Sequence, residues 1–183
     1  ILAGDGLLNF AFETMLGCAL RHPERAKAFL AAIDEVARGC GVTGMIAGQV
    51  MDLYCEHNRV ADVRALEYIQ RNKTACMFIY PLRAAGRLCG AAEAQLSALE
   101  EYGRAFGLLF QATDDLLDVT GSAAEMGKTL GKDAQSGKLT CVSAYGVDGT
   151  RRLVDELHRS AVESIRKFGD DAEFFVELVD EMV

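Results

Sequence analysis

Tryptophan is absent from this 183-residue chain, and proline occurs only twice. So little proline favours helices, because the ring removes a backbone donor and collides with the preceding turn. The six cysteines, at 18, 40, 55, 76, 89 and 141, form no CxxC pair, and the three histidines stand far apart. That excludes a thiol–imidazole zinc site, and the cysteines read as reduced, partly buried thiols of a cytoplasmic protein. No apolar run is long enough to span a bilayer, since Arg83 and Arg87 break the longest one. Excess positive charge is missing too. The net charge of −8 excludes a general nucleic-acid or anionic-membrane surface. No alternating apolar run flanks Asp148-Gly149, so the chain offers no hairpin signal.

What is present is half hydrophobic and a quarter charged, the profile of a globular protein long enough for one sizeable core. The spacing of apolar residues predicts helices over 7–20, 23–38, 43–57, 65–88, 92–119, 133–144, 149–168 and 171–182, with a kink at Pro81. The fold class is therefore all-α. The first of these helices is apolar on most positions, with Glu13 its only acid, which marks it for a core or an interface.

Two phosphate-loop patterns fail on inspection. In GDGLLN, Asn9 takes the place of the third glycine of GxGxxG, and five residues rather than four separate Gly121 from Gly127 before Lys128-Thr129.

The segment FQATDDLLDVTG is different. Asp114 and Asp118 share one helical face and Asp115 lies one step round it. Like charges at this spacing repel, and a helix C-terminus prefers cations. Carboxylates without thiol or imidazole partners suit a hard cation, Mg²⁺ before Ca²⁺, held by one or two of them together with substrate phosphates and water. Lys128, Lys132 and Lys138 follow among glycines and can meet a diphosphate as point charges. Lys73-Thr74 adds a cation and a hydroxyl, Gln111 adds an amide one turn before the aspartates, and Gly48-Gln49 with Asp52 makes a weaker polar stripe. Together they suggest ionisation of an allylic diphosphate, with the leaving group held by metal and lysines and the carbocation sheltered in an apolar cavity.

FQATDDLLDVTG followed by GKTLGKD and GKLT resembles the second aspartate-rich region of the trans-isoprenyl diphosphate synthases. GDGLLNFAFE, GQVMDL and NKTA match the same family in the same order. The resemblance implies an isoprenoid-synthase-type helical bundle, acting as a homodimer that condenses isopentenyl diphosphate with an allylic diphosphate using Mg²⁺. It further implies Asp114, Asp115 and Asp118 as the metal motif. Lys73, Lys128 and Lys138 would lie at the allylic diphosphate, and Thr74 and Gln111 at the reacting centre. The helix over 7–20 would belong to the dimer interface. One departure is Cys141-Val142, where many relatives carry an aromatic residue and proline. A second lies at the front, because the family's first aspartate-rich motif and its isopentenyl-diphosphate grip precede the segment matching residues 1–13. The expectation is thus a single polyprenyl synthetase domain, 1–183, lacking its N-terminal helices and inactive by itself. A short-chain synthase making farnesyl or geranylgeranyl diphosphate leads. A non-catalytic partner of an active synthase and a class I terpene cyclase are the alternatives.

Overall fold

The computed structural model of the chain describes residues 1–121 and 138–183. Among them every regular element is helical. Helix α1 (Leu2–Arg21) leads through a 3₁₀ turn (Pro23–Arg25) into α2 (Ala26–Cys40), then α3 (Met45–Asn58) and α4 (Val63–Ile69). A π-helical turn (Gln70–Ala75) joins α4 to α5 (Cys76–Leu88), and α6 (Glu93–Thr120) follows. After the undescribed residues come α7 (Cys141–Ile165), a 3₁₀ stretch (Arg166–Ala172) and α8 (Glu173–Asp180).

The expected helices are present, with three differences. Winding changes at Gln70–Ala75, whereas Pro81 lies inside α5 without ending it. The described part of the helix expected over 133–144 is not helical at 138–140, and helix begins only at Cys141. Near the C-terminus, helical winding runs through the expected links at 145–148 and 169–170, and the breaks narrow to Gly146 (φ 70°) and Gly169 (φ 65°), both in the left-handed region that glycine enters without a Cβ clash.

Helix α6, about 42 Å long at 1.5 Å per residue, is the spine. It lies against α5 and against α7, while α2 flanks α5 and α3 flanks the π turn. Its buried Tyr102, Phe106 and Leu109 meet Val154, Ala161 and Ile165 of α7 and Val179 of α8. The Tyr102 hydroxyl donates to the Phe175 carbonyl at 3.0 Å, so the one polar atom of this aromatic cluster is satisfied. Helix α1 is the exception. Its main neighbour is α2, and Leu2, Leu7, Phe10 and Leu20 remain exposed.

The other side of α5 is pinned by charge. Glu35 of α2, only 6 % exposed, accepts two bonds from Arg83 at 2.9 Å and one from Arg87 at 3.3 Å. Arg83 also donates to Glu100 of α6 at 2.8 Å, tying three helices together. Burial pushes the Glu35 carboxyl up, but the hydrogen bonds and charges of Arg83 and Arg87 outweigh it and hold the group below its ordinary 4.5. A folded value below the unfolded one gives stability that is complete above the unfolded pKa and lost as pH falls through the folded one. Glu35→Gln is therefore expected to cost about 1–3 kcal/mol at pH 7 in urea denaturation, with the gap to wild type narrowing below pH 4.5. A gap that stays constant down to pH 3 contradicts this account of the network.

Candidate active site

The π turn carries Lys73 and Thr74 of the NKTA segment, and its shape depends on two missing side chains. A Cβ on Gly48 of α3 would stand 2.2 Å from the Lys73 nitrogen, and one on Gly107 of α6 would stand 2.5 Å from the Ala75 Cα. The turn is thus clamped, backbone against backbone, between α3 and α6. A π turn carries one residue more than an α-helical one, and this re-aims the side chains that follow it.

Lys73 Nζ donates to Asp52 Oδ2 at 2.5 Å, the lysine a third exposed and the carboxylate nearly buried. Next to it the Thr74 hydroxyl donates to Gln111 Oε1 at 3.1 Å, and Gln111 Nε2 donates to Asp115 Oδ1 at 2.9 Å. The second oxygen of Asp115 accepts from the Cys141 backbone N–H at 2.7 Å. That N–H opens α7, whose N-terminal dipole favours a carboxylate. Thr140 and Ser143 close the same helix end with reciprocal bonds of 2.9 and 3.1 Å. Gln70 Nε2 reaches the Cys141 sulfur at 2.9 Å, and burial pushes that thiol up to about 11, so it stays protonated at neutral pH. Lys73, Thr74, Gln111, Asp115 and Lys138 converge on a cleft of about 30 Å³.

The structure thus gathers Lys73, Thr74, Gln111 and Lys138, as the sequence suggested, and divides the three aspartates. Asp115 is 3 % exposed and its carboxylate serves Gln111 and α7, whereas Asp114 and Asp118 stay half-exposed one turn apart. Among the described residues, no three His, Cys, Asp or Glu side chains gather closely enough to cage a metal. Asp114 and Asp118 fit Mg²⁺ in its usual manner, one or two carboxylates with phosphate and water completing the shell. Lys128 and Lys132 lie outside the described residues. Sequence reasoning missed Gln70 and Cys141. The available signals were the four-residue spacing of Gln70 from Thr74 and the position of Cys141 directly after Lys138-x-Thr140.

The family model described as Polyprenyl synthetase matches residues 1–172. Geranylgeranyl pyrophosphate synthase 9 of Arabidopsis thaliana, named as chloroplastic, is 40% identical over 172 residues, covering 92% of this chain and 47% of its own. The chloroplastic geranylgeranyl pyrophosphate synthase of Catharanthus roseus is 36% identical over 168 residues, 92% and 46% of the two chains. This chain therefore spans about half the length of the curated relatives it matches. Among solved structures, a putative farnesyl-diphosphate synthase from Marinomonas sp. MED121 superposes with a TM-score of 0.82 at 32% identity, over all of this chain and 61% of that one. An FPP/GFPP synthase from Zymomonas mobilis gives 0.83 at 27% identity, over all of this chain and 60% of that one. The all-α bundle is the fold of these synthases.

Gly48→Ala is expected to lower stability by about 1–3 kcal/mol through overpacking. Gly4→Ala, whose Cβ would meet nothing within 4 Å, should be neutral or gain up to about 1 kcal/mol of helix propensity. Urea denaturation of the two variants checks both, and a tolerated Gly48→Ala contradicts the clamp.

Proposed function

The chain belongs to the polyprenyl synthetase family, and from that premise we propose that the whole protein joins isopentenyl diphosphate to an allylic diphosphate, giving a short-chain product such as farnesyl or geranylgeranyl diphosphate. The observation that carries this reading is the convergence of Lys73, Thr74, Gln111 and Lys138, from separate segments of the chain, on one cleft with Asp115.

Lys73, Lys128 and Lys138 hold the allylic diphosphate. Asp114 and Asp118 would hold Mg²⁺, which would supply charge neutralisation for the leaving diphosphate. Asp115 keeps the Gln111 amide turned so that its oxygen accepts the hydrogen bond donated by the Thr74 hydroxyl. The lone pairs of the Thr74 oxygen are then left to face developing positive charge. The allylic C–O bond breaks, the diphosphate leaves with the electron pair, and the double bond of isopentenyl diphosphate attacks the cation. The resulting cation loses a proton to the departed diphosphate. Leu53, Met77 and Phe110 expose apolar surface on the same helices, which supports a wall that keeps water from the cation.

A second copy of the chain covers α1 in a homodimer, in keeping with the apolar side chains that helix exposes. The six free cysteines suit a reducing compartment, and we place the protein in the cytoplasm. Among the described residues no helix is long and apolar enough to cross a membrane.

The test is turnover by the protein as encoded, given both diphosphates and Mg²⁺, with pyrophosphate release and product length as readouts. Asp114→Ala and Lys73→Ala should each lower kcat/KM by about 10²–10³-fold. Release of pyrophosphate from the allylic substrate without use of isopentenyl diphosphate would instead indicate a cyclase. No turnover alone, but an altered product from an added synthase, would indicate a non-catalytic partner.

A further inference from the structure

Neighbouring pairs of residues in the π turn serve two separate spaces. Lys73 and Thr74 line the cleft described above, while Arg71 and Asn72 line a groove of about 760 Å³ bounded by α2, α4, α5 and α6. No residue is shared between the two linings. The groove carries six arginines against four acidic residues, a local excess of two positive charges in a chain whose net charge is −8. Its volume lies within the range of small-molecule sites.

Four of the arginines are spent on carboxylates. Arg38 pairs with Asp34, Arg83 and Arg87 share Glu35, and Arg104 pairs with Glu100. The other two, Arg64 and Arg71, have exposed side chains that make no hydrogen bond or ion pair among the described residues. Tyr68 stands between them at i+4 and i+7 spacing, so the three side chains follow one face of the α4–π segment. The remaining lining includes Cys76, Ile79 and Tyr80, which are less polar. Two unspent guanidinium groups, flanking an aromatic ring over a partly apolar bed, match an anionic head on a compact organic body. Guanidinium groups recognise phosphoryl oxygens through paired, charge-assisted hydrogen bonds.

We propose that this groove is a second, metal-independent binding site for a phosphoryl-bearing small molecule, gripped by Arg64 and Arg71 with Tyr68 against its body. The site stands on residues that take no part in the prenyl-transfer reading, so either can fail alone.

The experiment titrates the full protein with phenyl phosphate and, separately, with inorganic pyrophosphate, in EDTA so that the metal-dependent site is silent. Binding is followed by calorimetry and by NMR of labelled tyrosine and arginine side chains. The expected result is saturable binding that moves the Tyr68 signal. The double variant Arg64→Ala/Arg71→Ala, its fold checked by circular dichroism, should weaken it by at least about tenfold, and Lys73→Ala should leave it within about twofold. Binding by phenyl phosphate alone assigns the site to an organic phosphate, and equal binding by pyrophosphate assigns it to the phosphoryl group itself. No saturable binding of either probe, or a loss as large in Lys73→Ala as in the double variant, overturns the proposal.

Discussion

The close approach of three backbone segments at Gly48, the Gln70–Ala75 turn and Gly107 is the constraint on which the rest of the molecule depends. An ordinary α-helical turn there would leave the side chains after it on a different face, because a π turn inserts one extra residue. With the insertion in place, Lys73 finds Asp52 and Thr74 finds Gln111, while Arg71 and Asn72 face the other way. One irregular turn thereby sets the contents of both spaces beside it. Irregular backbone persists only where its surroundings over-determine it, and here α3 and α6 do so from two sides.

A second constraint is electrostatic. Carboxylates buried in an all-helical core must be neutralised or hydrogen-bonded, and each deeply buried one here has a donor. Asp52 has Lys73, Glu35 has Arg83 and Arg87, and Asp115 has Gln111 and the amide at the start of α7. Asp115 acts on the site through Gln111, and Asp114 and Asp118 stay at its surface. This is why three aspartates can occupy the end of one helix despite their mutual repulsion.

Much of this was legible in the sequence. The all-α class followed from scarce proline and helical periodicity; Lys73, Thr74 and Gln111 stood out as polar groups on apolar helices, and Lys138 as a lysine following a glycine-rich segment. The π turn was not legible, because Gln70–Ala75 holds no glycine or proline to mark a change of winding. Pro81 was the more conspicuous irregularity, yet its ring fits within α5. Gly48 looked like part of a polar stripe, and only three-dimensional contact reveals that its missing Cβ admits Lys73. The inward turn of Asp115 was hidden for a similar reason: spacing distinguishes faces of a helix but cannot say which face another helix end will approach. Gln70 and Cys141 are 71 residues apart, and nothing local in either announces the other.

A crystal structure grown with Mg²⁺ and inorganic pyrophosphate tests the central claim most directly. The account predicts the metal on Asp114, with diphosphate oxygens on Lys73 and Lys138 and the turn at Gln70–Ala75 unchanged between Gly48 and Gly107. Metal-bound diphosphate seated away from that turn, with Lys73 still on Asp52 and Asp114 bare, would contradict it.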